Sequence, residues 1–147
     1  MTDNIKTGFK VFEHTADVGL EIFGDEIADV FEYAGRGMFD IIFHSAPPII
    51  EPIGEYKIKL QASDLEQLMV DWLDELLYIF STEHIVFSNY ELSIDPKAFS
   101  LEARVAGALV TDDELLGSCE IKAVTYHMLI VKKIKHRGWE AKVLFDI

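Results

Sequence analysis

The sequence has very little cysteine and no apolar run long enough to cross a membrane. Cys119 is the only cysteine among 147 residues, which excludes an internal disulfide and a cysteine-rich zinc site. No apolar segment approaches the roughly 18 residues of a membrane span. The first ten residues, MTDNIKTGFK, lack the apolar region of a secretory signal. These absences predict a cytoplasmic protein that does not contact a membrane.

Positive charge is also scarce. Thirteen lysines and arginines stand against 26 aspartates and glutamates, so the net charge is −13 and the isoelectric point about 4.6. Most of such a surface repels a phosphate backbone, which argues against direct binding of nucleic acid. It leaves open simple solubility, or attraction to a basic partner or a cation if carboxylates cluster in space. No glycine-rich phosphate loop is present, because Gly35 and Gly37 lie inside a helical pattern and are interpreted as helix-packing positions.

Half of the residues are hydrophobic, enough to bury a substantial core, and we expect residues 1–147 to form a single domain. Residues 44–54, with three prolines, are predicted to be a connecting loop. Apolar residues recur at helical spacing over 25–43 and 64–80, and both apolar faces are interpreted as core packing. Ser63 and Glu66 predict a capping box before the second helix.

The rest of the chain alternates with a period of two residues. This spacing predicts strands over residues 56–60, 85–94, 99–105, 129–134 and 139–145, the last two joined as a hairpin by the turn 136–138. Asp112 and Asp113 are interpreted as a solvated charge run in a loop. Because strands outnumber helices and cluster along the chain, we predict an α+β fold in which two main helices pack on a largely antiparallel β-sheet.

The segment His14-Thr15-Ala16-Asp17 interrupts an otherwise strand-like stretch. One interpretation is a tight turn between two strands, with Asp17 or Thr15 bonding local backbone amides. The other is a carboxylate and an imidazole presented at a strand end, where they suit a hard cation or proton transfer. The segment alone does not decide between them.

The C-terminal strand offers further carboxylates. Asp146 lies on the face opposite the bulky residues Trp139, Val143 and Phe145, and Ile147 carries a terminal carboxylate beside it. One interpretation is that these two carboxylates form a cation site. The other is that they belong to a frayed, solvated terminus. Upstream, Lys122 has three interpretations: it pairs with carboxylates in an acidic pocket, it binds a phosphate, or it is an ordinary surface lysine.

Four ordered elements resemble the archease family: HTAD (14–17), VDWLDELL (70–77), KAVTYH (122–127) and the ending GW…FDI. Glu13 stands where the family often has aspartate. The resemblance covers essentially the whole chain. It implies a non-enzymatic protein partner of the RtcB-type RNA ligase of tRNA splicing. Such a partner promotes the guanylylation of the ligase with GTP and allows the ligase multiple turnover. The resemblance further implies a metal-associated acidic site at Asp17 and Asp146 with Lys122 nearby, which we extend to His14 and the Ile147 carboxylate.

Oxygen ligands of this kind suit a hard divalent cation such as Ca²⁺, Mg²⁺ or Mn²⁺. Two other functions are compatible with the sequence. One is a chaperone-like modulator of tRNA-modifying enzymes such as tRNA methyltransferases, which needs no metal. The other is a metal-dependent hydrolase, which lacks an assignable base or nucleophile beyond His14. The discriminating expectation is spatial: Asp17, Lys122 and Asp146 lie close together only if the first and last strands are neighbours.

Overall fold

Antiparallel strands and helices alternate along the described part of the chain, which comprises residues 7–14, 16–44 and 54–147 of a computed structural model. In chain order the elements are β1 (Gly8–His14), β2 (Asp17–Gly24), α1 (Ile27–Phe43), β3 (Gly54–Gln61), α2 (Leu65–Glu83), β4 (Ile85–Asp95), β5 (Ser100–Leu109), α3 (Asp112–Leu116), β6 (Ala123–Ile134) and β7 (Gly138–Asp146). The α+β prediction is confirmed.

The strands divide between two sheets rather than one. A four-stranded sheet has the order β1-β2-β7-β6, and a three-stranded sheet has the order β3-β5-β4. Every described pairing is antiparallel. Helix α1 contacts β2 of the first sheet and β4 of the second, and α2 contacts α1 and β6. The two sheets therefore share one helical layer, which the alternation within single strands does not reveal.

Both long helices bury the apolar faces that their spacing predicts. The buried residues form one cluster that includes side chains of both helices and both sheets. Trp72 of α2 is fully buried, and its Nε1–H donates to the carbonyl of Phe31 in α1 at 2.8 Å. A side chain at Gly35 would press on Tyr90, and one at Gly37 on Leu20. The interpretation of these glycines as packing positions is confirmed.

The helix ends correct two predictions. The residue that caps α2 is Asp64, whose Oδ1 accepts from the amide of Gln67 at 2.7 Å, so the predicted Ser63–Glu66 capping box is wrong. The carboxylate one position later is the better-placed acceptor. The predicted charged loop at Asp112 and Asp113 is also wrong, because these residues begin the short helix α3.

A reciprocal capping box accounts for α3. The amide of Glu114 donates to Thr111 Oγ1 at 3.1 Å, and the amide of Thr111 donates to Glu114 Oε1 at 3.0 Å. Three carboxylates in the first turn also face the positive end of the helix dipole. The acidic residues Asp112, Asp113 and Glu114 therefore form the first turn of a helix.

The C-terminal hairpin is confirmed, but β6 begins at Ala123 rather than at residue 129. Its register against β7 shifts between Thr125 and Ile130. The extra residues break the period-two pattern, which hid the first half of the strand from sequence inspection. The predicted loop at 44–54 stays a prediction, because residues 45–53 lie outside the described part of the chain.

Candidate functional site

Strand β1 ends at His14 and strand β2 begins at Asp17, and the two strands form an antiparallel hairpin. His14 and Asp17 are paired across the two strands, and Ala16 has a left-handed backbone with φ 66°. A positive φ at a turn residue is typical of a two-residue hairpin connection. The predicted tight turn is therefore confirmed, while Thr15 itself lies outside the described residues.

Asp17 and Asp146 meet at one end of the four-stranded sheet, which we call the acidic end. They are direct partners in the β2–β7 ladder, and Asp146 is in turn the partner of Ala123 in β6. Side chains of directly opposed residues share a face, with Cβ atoms about 4.5–5.5 Å apart. The two carboxylates, which are separated by most of the chain in sequence, are thus cross-strand neighbours.

His14 extends the acidic end toward β1. Its Nδ1 lies 3.9 Å from Asp17 Oδ2, and the two side chains are 35% and 23% exposed. This Nδ1 atom is itself buried and has no hydrogen-bond partner among the described residues. A buried polar nitrogen without a partner is unfavourable, so a water molecule, an ion or another polar group at this atom would stabilise it.

A row of apolar contacts supports these polar groups. Phe12, Gly19 and Leu144 are consecutive partners across β1, β2 and β7, one row away from His14, Asp17 and Asp146. The ring of Phe12 lies directly over Gly19, where a Cβ atom would collide with it. Leu144 is fully buried although it lies on the face opposite the central core. This small second core holds the three strands in register beneath the acidic end.

Lys122 is fixed by its backbone. Its amide donates to the carbonyl of Asp146 at 2.7 Å, which places the residue at the acidic end as predicted. The side chain is exposed and forms no ion pair within the described part of the chain. The ammonium group is therefore free to contact a group from outside the protein.

The acidic end contains two neighbouring side-chain carboxylates, those of Asp17 and Asp146. In residues 7–14, 16–44 and 54–147, no group of three or more histidine, cysteine, aspartate or glutamate side chains is arranged to hold a metal ion. Ile147 follows Asp146 directly and is 39% exposed. The role of its carboxylate as a third oxygen donor stays a prediction. Such a set consists of hard oxygen ligands only.

Sequence inspection missed the place of His127. Its ring centroid lies 5.7 Å from that of His14, so β6 contributes a second imidazole beside the turn. The signal that was available is the break in the alternation after Thr125. Such breaks mark bulges, which redirect side chains.

A separate depression of about 500 Å³ lies on the three-stranded sheet, away from the acidic end. Its charged residues largely face one another: Lys59 Nζ lies 3.4 Å from Glu102 Oε1, and an Arg104 nitrogen lies 3.9 Å from Glu91 Oε2. Exposed, mutually compensating charges of this kind are typical of a solvated sheet face.

Comparison with known proteins gives the family. The model of the Archease protein family (MTH1598/TM1083) matches residues 9–147, nearly the whole chain. The chain belongs to the archease family. The archease protein of Methanosarcina mazei is 35% identical over 142 residues, covering 95% of each chain. That of Pyrococcus abyssi is 31% identical over 138 residues, covering 92% of this chain and 96% of the relative.

The fold agrees with a solved structure. The solution structure of protein 1598 of Methanobacterium thermoautotrophicum matches with a TM-score of 0.76 and 32% identity, covering 95% of this chain and 99% of that one. The resemblance noted in the motifs is thereby confirmed. Among the described residues, no helix is both long and apolar enough to span a bilayer.

Proposed function

We propose that this protein is a non-enzymatic activator of a GTP-dependent RNA ligase of the RtcB type, acting in tRNA splicing. In this proposal it promotes guanylylation of the ligase and allows multiple turnover. The observation that carries the proposal is the cross-strand pairing of Asp17 with Asp146, which places two carboxylates side by side.

Two like charges directly opposite each other on neighbouring strands are unfavourable unless something neutralises them. A hard divalent cation held by Asp17, Asp146 and the Ile147 carboxylate would do so, because oxygen donors are the ligands that Ca²⁺, Mg²⁺ and Mn²⁺ prefer. These three carboxylates would provide such an ion with hard oxygen ligands. When bound, the cation would supply a positive charge that attracts phosphate groups in the ligase site.

His14 would complete the arrangement. Its buried Nδ1 atom has no described partner and lies 3.9 Å from Asp17 Oδ2, so the ring would either hold this carboxylate in place or coordinate the ion. Lys122 would contribute its unpaired ammonium group to a phosphate of GTP or of an RNA end. Neither residue needs to perform chemistry on a substrate bound to this protein alone.

The charge of the whole protein supports a protein partner over an RNA partner. A net charge of −13 repels free RNA but steers the acidic end toward the basic cleft of an enzyme that binds RNA and GTP. The protein would thus reach the ligase without competing for its substrate. The same negative charge disfavours direct binding of tRNA by the isolated chain.

The test is a ligation assay with a purified RtcB-type ligase, GTP and RNA carrying ligase-compatible ends, with substrate in excess over enzyme. We expect Asp17→Asn, Asp146→Asn and Lys122→Met each to fold normally and to lose most of the stimulation of multiple turnover. Glu55→Gln is the matched control, because Glu55 is an exposed strand carboxylate that faces Ala106 rather than another carboxylate.

Normal stimulation by both aspartate variants would overturn the site assignment. If the wild-type protein changes the oligomeric state of a tRNA methyltransferase at full strength in excess chelator, that result would favour the chaperone-like alternative. Phosphoester turnover by the isolated protein would favour the hydrolase alternative.

A further inference from the structure

Residues 126–128 form a bulge in β6, next to the acidic end. Between the pairs Thr125–Leu144 and Ile130–Lys142, β6 advances five positions while β7 advances two. Met128, within this segment, has a left-handed backbone with φ 57°. This conformation is unfavourable for a residue with a side chain, so the surroundings must hold it in place. Bulges are over-represented beside functional sites, where they redirect side chains.

The bulge turns two large apolar side chains outward. Tyr126 is 61% exposed and Met128 is 41% exposed. Tyrosine and methionine are enriched at the centres of protein–protein interfaces, where they supply contact area and adaptable packing. Exposed apolar residues that lie together indicate an interaction surface more strongly than single exposed residues do.

Helix α2 holds the tyrosine in place. The Tyr126 hydroxyl donates to Gln67 Oε1 at 3.2 Å, and Gln67 Nε2 donates to Asp71 Oδ1 at 2.8 Å. The amide of Gln67 is also held by the capping carboxylate of Asp64. An aromatic side chain that is already fixed loses little conformational entropy on binding, which favours its use as an anchor.

The bulge is continuous with the acidic end. The ring of His127 lies 5.7 Å from that of His14, which in turn lies beside Asp17. Carboxylates thus flank the exposed pair on two sides, Asp17 through the histidines and Asp71 through Gln67. A partner that covers this surface needs apolar contacts for Tyr126 and Met128 and cationic groups around them.

From this juxtaposition we propose that the bulge, residues 126–128, is the docking surface for the same ligase whose basic cleft receives the acidic end. The inference rests on the proposed function and assigns separate tasks to neighbouring residues. Tyr126 and Met128 provide affinity through an apolar patch at the rim of the cleft. Asp17, Asp146 and Lys122 provide activation once the complex has formed.

The test compares binding and activation for the full chain. We expect Tyr126→Ser/Met128→Ser to raise the dissociation constant for the purified ligase, and the concentration for half-maximal stimulation, by at least about tenfold, as truncation of interface anchors does. The maximal stimulation at saturation stays unchanged. Tyr78→Ser is the matched control, because Tyr78 is an equally exposed tyrosine, at 64%, on α2, and we expect it to bind normally.

Each single variant is measured as well, and its melting temperature is compared with that of the wild type, so that a folding defect is recognised. Unchanged affinity of the folded double variant would overturn the docking surface while leaving the proposed function intact. A wild-type protein that binds but does not stimulate would overturn the proposed function, and the affinities would still decide the docking surface. Absence of any binding by the wild type would overturn both.

Discussion

Neutralising Asp146 should stabilise the cation-free protein even though it removes activity. Asp146 and Asp17 are direct cross-strand partners, so their charges repel one another when nothing lies between them. Asp146 is exposed and forms no ion pair in the described part of the chain, so Asp146→Asn removes repulsion without breaking an attraction.

The magnitude follows from Coulomb's law. Two unit charges about 5 Å apart repel by about 0.8 kcal/mol in water and by about 3 kcal/mol at an effective dielectric constant near 20. The exposure of Asp146 favours the lower end, about 1 kcal/mol. For a domain of this size, such a change raises the melting temperature by about 2–4 °C.

A divalent cation should reverse the order. At a concentration about 100-fold above its dissociation constant, it stabilises the wild type by about 2.7 kcal/mol, which corresponds to about 5–11 °C. Asp146→Asn, with one ligand weakened, should gain much less. The variant therefore melts above the wild type in chelator and below it in Ca²⁺ or Mg²⁺.

The assay is thermal unfolding followed by circular dichroism, at pH 7, in chelator and with each cation. Glu55→Gln controls for the loss of one negative charge from a highly acidic protein. If Asp146→Asn gains no more than Glu55→Gln in chelator, the two carboxylates do not repel and the geometric argument fails. If no divalent cation raises the melting temperature of the wild type, the proposed ion-binding role is refuted.

Two further predictions concern the three-stranded sheet. Gly107→Ala should destabilise the fold by about 3 kcal/mol in urea denaturation, because the new Cβ would collide with the backbone carbonyl of Val86, which cannot rotate away as a side chain can; a loss below about 1 kcal/mol would contradict this packing. The pKa of Asp95 is lowered because its carboxylate accepts from the amides of Lys97 at 2.9 Å and Ala98 at 3.1 Å. Its stabilising effect is thus present above pH 3.8 and lost as the pH falls further, so Asp95→Asn should make the urea midpoint less pH-dependent below that value, whereas an unchanged acid dependence would show that this turn contributes nothing.

The sequence was most informative where a local pattern of apolar residues repeats or is interrupted. The helical spacing over 64–80 predicted α2, and the polar interruption at 14–17 predicted a turn. Helix caps were less predictable, because Ser63 and Asp64 are both good capping residues and only the backbone geometry selects one.

Long-range pairing could not be read from local patterns. That Asp17 faces Asp146 depends on β2 pairing with β7 in one register, and strands of similar alternation admit many registers. Only the family resemblance brought these residues together before the fold was known. The bulge at 126–128 was hidden for a different reason, since it abolishes the period by which a strand is recognised.

The position of β7 in the sheet has a consequence for synthesis. This strand, the last of the described elements, lies between β2 and β6. Residues 138–146 must therefore be translated before the edges of β2 and β6 that face β7 can be paired. A nascent or truncated chain therefore exposes two open strand edges, which invite aggregation and proteolysis. It also lacks one of the two aspartates, so only a chain translated through Asp146 can display the pair.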